Sequence, residues 1–179
     1  MTIKPLRQYS ESDVINMFAY DGPSASKGLL VKVHGNGWVS TDDPADMSAG
    51  AGASYANTVS SRYSTKAKLT LAGSGDQAIG MLLMSVAETD ENGEKLLYKP
   101  GKAAEMGVVV SGQSVPVLSR GILLYSGATL AAETPTAGGA LYGADNGEVT
   151  SVAGGTKVAV GQALGIKDSN NFVLIKLEL

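Results

Sequence analysis

The chain holds one histidine in 179 residues, so any Ser-His-Asp triad would have to run through His34. His34 stands beside Gly35 at the end of a short apolar run. No Gly-x-Ser-x-Gly elbow is present to offer it a serine, and His34 reads as a strand-end or turn residue. Ser24-Ala-Ser-Lys27 has the Ser-x-x-Lys spacing of penicillin-recognising acyltransferases, whose chemistry needs both side chains on one face of a helix start. Here Gly28 and a β-type run follow, and neither a Ser-Asp-Asn nor a Lys-Thr-Gly partner is found, so this stretch reads as a loop. Gly73-Ser-Gly75 is half of a dinucleotide fingerprint, with Ala78 where the third glycine belongs. Gln77-Ala-Ile-Gly80 continues it without the helix whose N-terminus would hold a pyrophosphate. A turn is the better reading.

Metal chemistry has little to work with. The absence of cysteine removes disulfides, thiolate catalysis and thiolate metal sites together. Asp42, Asp43 and Asp46 form the one dense carboxylate cluster, but the alternating ligands, central Gly and closing Glu of an EF-hand are missing. A solvated acidic loop fits it better, and Asp90 and Glu91 belong to a hairpin turn. No catalytic, cofactor-binding or metal residue is assigned, and the expectation is a protein that is not an enzyme and carries no cofactor.

The elements that would position any site are short and numerous. The chain has 23 Gly and 6 Pro, and the glycines sit singly or in pairs between apolar runs, as in a chain that turns often. Lys27–His34 reads as the first strand, with a turn at Asn36-Gly37. Further strands are expected over 66–71, 78–87, 95–98, 105–110, 114–118, 121–125, 139–142, 148–152, 157–160, 162–166 and 172–179. Past Lys27 no amphipathic helix is long enough for a βαβ crossover. Strands at this spacing predict an all-β fold, an antiparallel β-sandwich or small β-barrel.

Two stretches depart from that scheme. Residues 1–27 read as an N-terminal arm ahead of a β domain over 28–179. Within the arm, Ser12 or Asp13 caps a helical turn through Val14, Ile15 and Met17, or the stretch is extended. Residues 40–65, rich in small and polar types, form a long surface loop and the best candidate for interaction. Arg7, Tyr9, Phe18 and Tyr20 bring more apolar area than their own segment can cover. They are candidates to pack on a neighbouring protein, the alternative being that they fold back on their own domain. Trp38, the one tryptophan, is balanced between a binding hot spot and a lid over the core.

Composition excludes several partners. A hydrophobic fraction of 44% is enough for a core, and charged residues make up only 17%. The net charge of -3 and the scattered basic residues predict no binding to nucleic acid or to an anionic membrane. The apolar run Met81-Leu-Leu-Met84 is far shorter than a bilayer span, and Met1–Ser10 has no signal-peptide core, so a soluble protein is expected.

Several stretches together resemble one family. Gly139-Ala-Leu-Tyr-Gly-Ala-Asp-Asn-Gly-Glu-Val-Thr150, Val158-Ala-Val-Gly-Gln-Ala-Leu-Gly-Ile166 and Phe172-Val-Leu-Ile-Lys-Leu177 are similar to the end of small capsid decoration (cement) proteins of tailed bacteriophages. Met106–Val110 and the Arg-Gly step in Val115–Tyr125 resemble that family's paired strands. Glu11–Ile15 with Lys27–Val31 resembles its opening arm and first strand. The resemblance implies a structural protein made in the bacterial cytoplasm and placed on the capsid exterior of the virion. It would be a homotrimer whose partner is the major capsid protein, tying neighbouring capsid subunits together. The alternatives are a phage tail or fibre component, or a carbohydrate-binding β module.

Overall fold

A computed structural model describes residues 2–5, 13–37 and 67–179 of the chain. Arg7, Tyr9, Trp38, the carboxylates Asp42, Asp43 and Asp46, and the loop expected over 40–65 lie outside the described residues.

Fifteen described strands form three sheets, in agreement with an all-β reading. They are β1 (Thr2–Pro5), β2 (Val14–Ile15), β3 (Ala19–Tyr20), β4 (Ser24–Ala25), β5 (Leu30–Val33), β6 (Lys68–Leu71), β7 (Gly80–Leu82), β8 (Ser85–Ala87), β9 (Val108–Val110), β10 (Val117–Leu118), β11 (Arg120–Ser126), β12 (Ala140–Gly143), β13 (Val149–Thr150), β14 (Ala159–Ala163) and β15 (Val173–Glu178). The large sheet runs β1-β11-β15-β14-β12-β13 and is antiparallel throughout. The middle sheet runs β2-β10-β7-β5-β6-β3, and a small sheet runs β4-β8-β9.

The middle sheet is the reason the three cohere. Successive side chains on a strand point to opposite faces, and here both faces are covered. Leu30, Met81 and Leu118 enter one core with Leu123, Tyr125, Val173, Ile175 and Leu177 of the large sheet. Their neighbours Val31, Leu82 and Val117 enter a second core with Phe18, Leu69, Val115 and Val86, the last from the small sheet. A strand buried on both faces must be apolar without alternation, which is why Gly80, Met81 and Leu82 are buried in succession. The half-wet β15 instead alternates, with Val173, Ile175 and Leu177 inward.

Several expectations are corrected. The expected strand at 95–98 is a 3-10 turn over Leu96–Tyr98, followed by helix α1 (Pro100–Met106) where the first part of a strand at 105–110 was expected. Pro100 starts that helix at a position needing no N–H donor, and Gly107 at φ 63° ends it. β8 and β9 are parallel, so the 3-10 turn and the short helix α1 lie within a crossover connection, contrary to the expectation that no helix past Lys27 suffices for one. β3 and β6 are parallel as well, so the pairing is mixed rather than purely antiparallel. The single run at 78–87 divides into β7 and β8, which belong to different sheets. The two strands expected at 157–160 and 162–166 are one, β14. A second short helix, α2 (Ala128–Ala132), was not expected.

The described part of the presumed arm is stitched into the body. β2 pairs with β10, β3 with β6, and β4 with β8, so residues 14–25 contribute edge strands to two sheets. Val14–Ile15 is extended, not the helical turn offered as one option. β1 pairs with β11 at the edge of the large sheet, a place where Pro5 costs no interior ladder bond.

Candidate functional site

A shallow, open cleft lies at the β12–β13 end of the large sheet. Its construction starts with α2, which connects β11 to β12. The Glu148 carboxylate accepts the Thr129 backbone N–H at 2.8 Å and its hydroxyl, at the start of the helix. At the other end the Lys167 ammonium donates to the carbonyls of Ala131 (2.5 Å) and Glu133 (3.0 Å). An acid at the N-terminus and a base at the C-terminus both complement the helix's partial charges.

Glu133 then ties the exit of α2 to the end of β13. Its carboxylate accepts the Thr150 hydroxyl, the Ser151 N–H at 2.5 Å and the Ser151 hydroxyl at 2.7 Å. Partial burial pushes the Glu133 carboxyl up, but the Thr150 and Ser151 hydrogen bonds, with Lys157 nearby, outweigh it and hold the group below its usual range. A carboxylate whose folded-state value is depressed stabilises the fold above its unfolded value, and that contribution is lost as pH falls through the folded one. Glu133→Ala is therefore expected to cost about 1–2 kcal/mol at neutral pH. In urea titrations the gap to the wild type narrows as pH falls below about 4.3. A gap that stays constant to pH 3 would show that the ionised carboxylate is not the source.

These ties leave a cleft of about 300 Å³ lined by Thr134, Pro135, Thr136, Gly139, Ala140, Leu141, Tyr142, Ser151, Ala153 and Ala163. Leu141 is buried toward the core, so Ala140 and Tyr142, one position to either side of it, lie on the outer face. The backbone contributes too. The Ala163 N–H donates to the Gly139 carbonyl, so the next residue, Ala140, turns its own N–H and C=O away from β14. On that side β13 pairs only as far as Tyr142↔Thr150, and among the described residues no strand continues beside Ala140. A hydroxyl-rich, uncharged concavity with a tyrosine and a free backbone edge suits reversible binding.

The residues singled out in the sequence lie elsewhere and are not brought together. His34 is exposed at the end of β5, with its Nε2 3.5 Å from an Asp21 carboxylate oxygen. Ser24 lies in β4 and Lys27 in the turn after it, where the Lys27 N–H donates to the Ser85 hydroxyl at 3.0 Å. In the Gly73-Ser-Gly75 turn the N–H of Gly73 goes to Asp76 and that of Ser74 to Asp145, at 2.7 and 2.9 Å, so the amides that would cradle a phosphate are taken by carboxylates. Asp90 accepts the N–H groups of Asn92 and Glu94, both at 2.9 Å, which holds its hairpin turn. Among the described residues no group of three metal-ligating side chains assembles. The ring of Phe18 is only 8% exposed and packs in the second core, where Tyr20 rests against it. The partner sought for Phe18 outside the chain is thus present within it.

Glu133, Tyr142, Thr150 and Ser151 carried no signal in the sequence. They come from a helix exit and two hairpin strands, and only the turn-rich Glu133-Thr-Pro-Thr136 marks the place. Compared with known proteins, the chain matches no family model, no curated protein and no solved structure.

Proposed function

We propose that this protein is a structural virion component. It binds the outside of an assembled phage capsid, as a homotrimer, and stabilises it by bridging neighbouring major capsid subunits. In this reading the stacked sheets act as an elaborated β-sandwich, and an N-terminal arm with Arg7 and Tyr9, together with Trp38, adds contacts to the neighbour. The reading rests first on the family resemblance of the strands over 139–177.

One observation carries it further. Exposed apolar side chains stand on both outer layers of the body. Ile166, 74% exposed, and Leu164 follow β14 of the large sheet, while Tyr98, 66% exposed, and Met106 stand on the segment packed beside the small sheet. The doubly buried middle sheet lies between them. A bridging protein needs two separated points of attachment held at a set distance, and many weak bridges add through avidity. Binding confined to the mature shell stabilises that shell by mass action.

The test is cosedimentation with expanded, undecorated phage heads. Saturation at a fixed number of copies per capsid subunit is expected, with little binding to unexpanded shells. Replacing Tyr98 and Ile166 together by serine should leave the melting curve unchanged and weaken binding tenfold or more, since each side chain stands to lose about 1.5–3 kcal/mol of burial. Failure of the wild type to bind at micromolar concentration overturns the proposal. Undiminished binding of the double variant overturns the two-point attachment.

A further inference from the structure

The geometry points to a second binding function in the cleft at the β12–β13 end of the large sheet: it takes a neutral saccharide, with the Tyr142 ring as platform and the hydroxyls of Thr134, Thr136 and Ser151 around it. The inference stands apart from capsid binding and needs none of the residues invoked for it.

Three features select that chemistry. First, no side chain with a formal charge lines the cleft, and the nearest carboxylate, Glu133, is already occupied by hydrogen bonds from Thr150 and Ser151. The nearby ammonium groups of Lys157 and Lys167 donate to the carbonyls of Val152 and of Ala131 and Glu133, so the lining itself offers an anion no side-chain counter-charge and an amine no free carboxylate. Second, the Thr134 and Thr136 hydroxyls can donate and accept, and that of Ser151, whose proton goes to Glu133, can still accept, which suits a ligand covered in hydroxyls. The Ala140 N–H and C=O, turned away from β14, add one fixed donor and one fixed acceptor to the lining. Third, Tyr142 is half-buried and lies on the same outer face as Ala140, and an aromatic face offers a sugar ring's C–H surface a low-entropy apolar contact. The volume, about 300 Å³, falls at the lower end of small-molecule sites and fits one or two sugar rings.

An extended peptide is the competing occupant, because free backbone groups at a strand edge invite strand addition. The free edge here is one residue long. Tyr142 is already paired with Thr150, and β12 begins at Ala140. A strand needs several consecutive ladder bonds to hold, whereas a sugar needs only the one pair.

The experiment is a two-dimensional NMR titration of the full chain with methyl glycosides of glucose, galactose, mannose and N-acetylglucosamine. An open cleft of this size predicts dissociation constants of about 1–10 mM for the preferred sugar. Saturating shifts are expected at the amides of Ala140, Tyr142 and Ser151. Tyr142→Phe, which keeps the ring, should bind within about twofold of the wild type, and Tyr142→Ala about tenfold more weakly or worse. Ala153→Leu fills the cleft from an exposed position without touching the ladder, and should abolish the shifts even if Tyr142→Ala proves unfolded. No saturable shift with any of the four sugars up to about 100 mM overturns the inference. Equal binding by folded Tyr142→Ala, or by Ala153→Leu, overturns it as well. Because capsid cosedimentation uses none of these residues, either reading can fail while the other stands.

Discussion

Gly161→Ala is expected to destabilise the protein by about 3 kcal/mol or more, enough to leave a domain of ordinary stability largely unfolded at modest urea concentrations. Gly161 lies in β14, between β12 and β15, paired with Leu141 on one side and Leu177 on the other. A Cβ added there would stand 2.1 Å from the Lys176 carbonyl oxygen and 3.2 Å from the Leu177 Cα. Those are backbone atoms inside a six-stranded ladder, so relief requires the strands to part, and a side-chain rotation cannot supply it. The requirement is for space, since Gly161 does not adopt a positive φ. Gly165, four residues on, is the control, because a Cβ there meets nothing within 4 Å. Gly165→Ala should be neutral, or stabilising by about 0.4–1 kcal/mol through the unfolded state. Urea midpoints of the two variants decide the matter: similar small changes would mean that β14 does not pack as closely on β15 as described.

The second large effect comes from adjacent residues. Met81→Ala and Leu82→Ala should each cost about 2–5 kcal/mol, the range for truncating a buried side chain of this size. Neither side chain is accessible to solvent. In an ordinary sheet with one wet face, one of two consecutive positions is cheap to truncate. Here Met81 fills the core shared with the large sheet, and Leu82 fills the core shared with the small one. Leu174→Ala, at a half-buried position on the outer face of β15, serves as the wet-face comparison and should cost less than either. If one of the middle-sheet pair costs under about 0.5 kcal/mol, that face is not a core and the layer order is wrong.

Much of the β structure was legible because it rests on local rules. Gly, Asn and Asp turns punctuate short apolar runs, and β15 shows its wet face where Lys176 and Glu178 alternate with Ile175 and Leu177. β5, β6, β11, β12 and β15 fall where the runs fall. The failures have a common cause. Leu96-Leu-Tyr98 is as apolar as a strand, and only the following Pro100 and the αL position of Gly107 turn this region into helical turns. Periodicity cannot separate a three-residue strand from a 3-10 turn when both bury one leucine. Likewise, a continuous apolar run cannot announce that its halves belong to two sheets.

The sequence by itself determined the β-rich class of fold, the absence of thiol chemistry and the scarcity of imidazole, because these follow from residue type and short-range pattern. Only the tertiary structure decided which strands pair, that the middle sheet has a core on each face, that Phe18 is buried within its own chain, and that a cleft opens beside Tyr142. The physical reason is the range of the interactions. The bonds from Thr150 and Ser151 to Glu133 span 17 and 18 residues, and Ser74 reaches Asp145 across 71. No local preference fixes such partners. They are chosen by the burial of the whole chain, and the candidate site exists only where those choices meet.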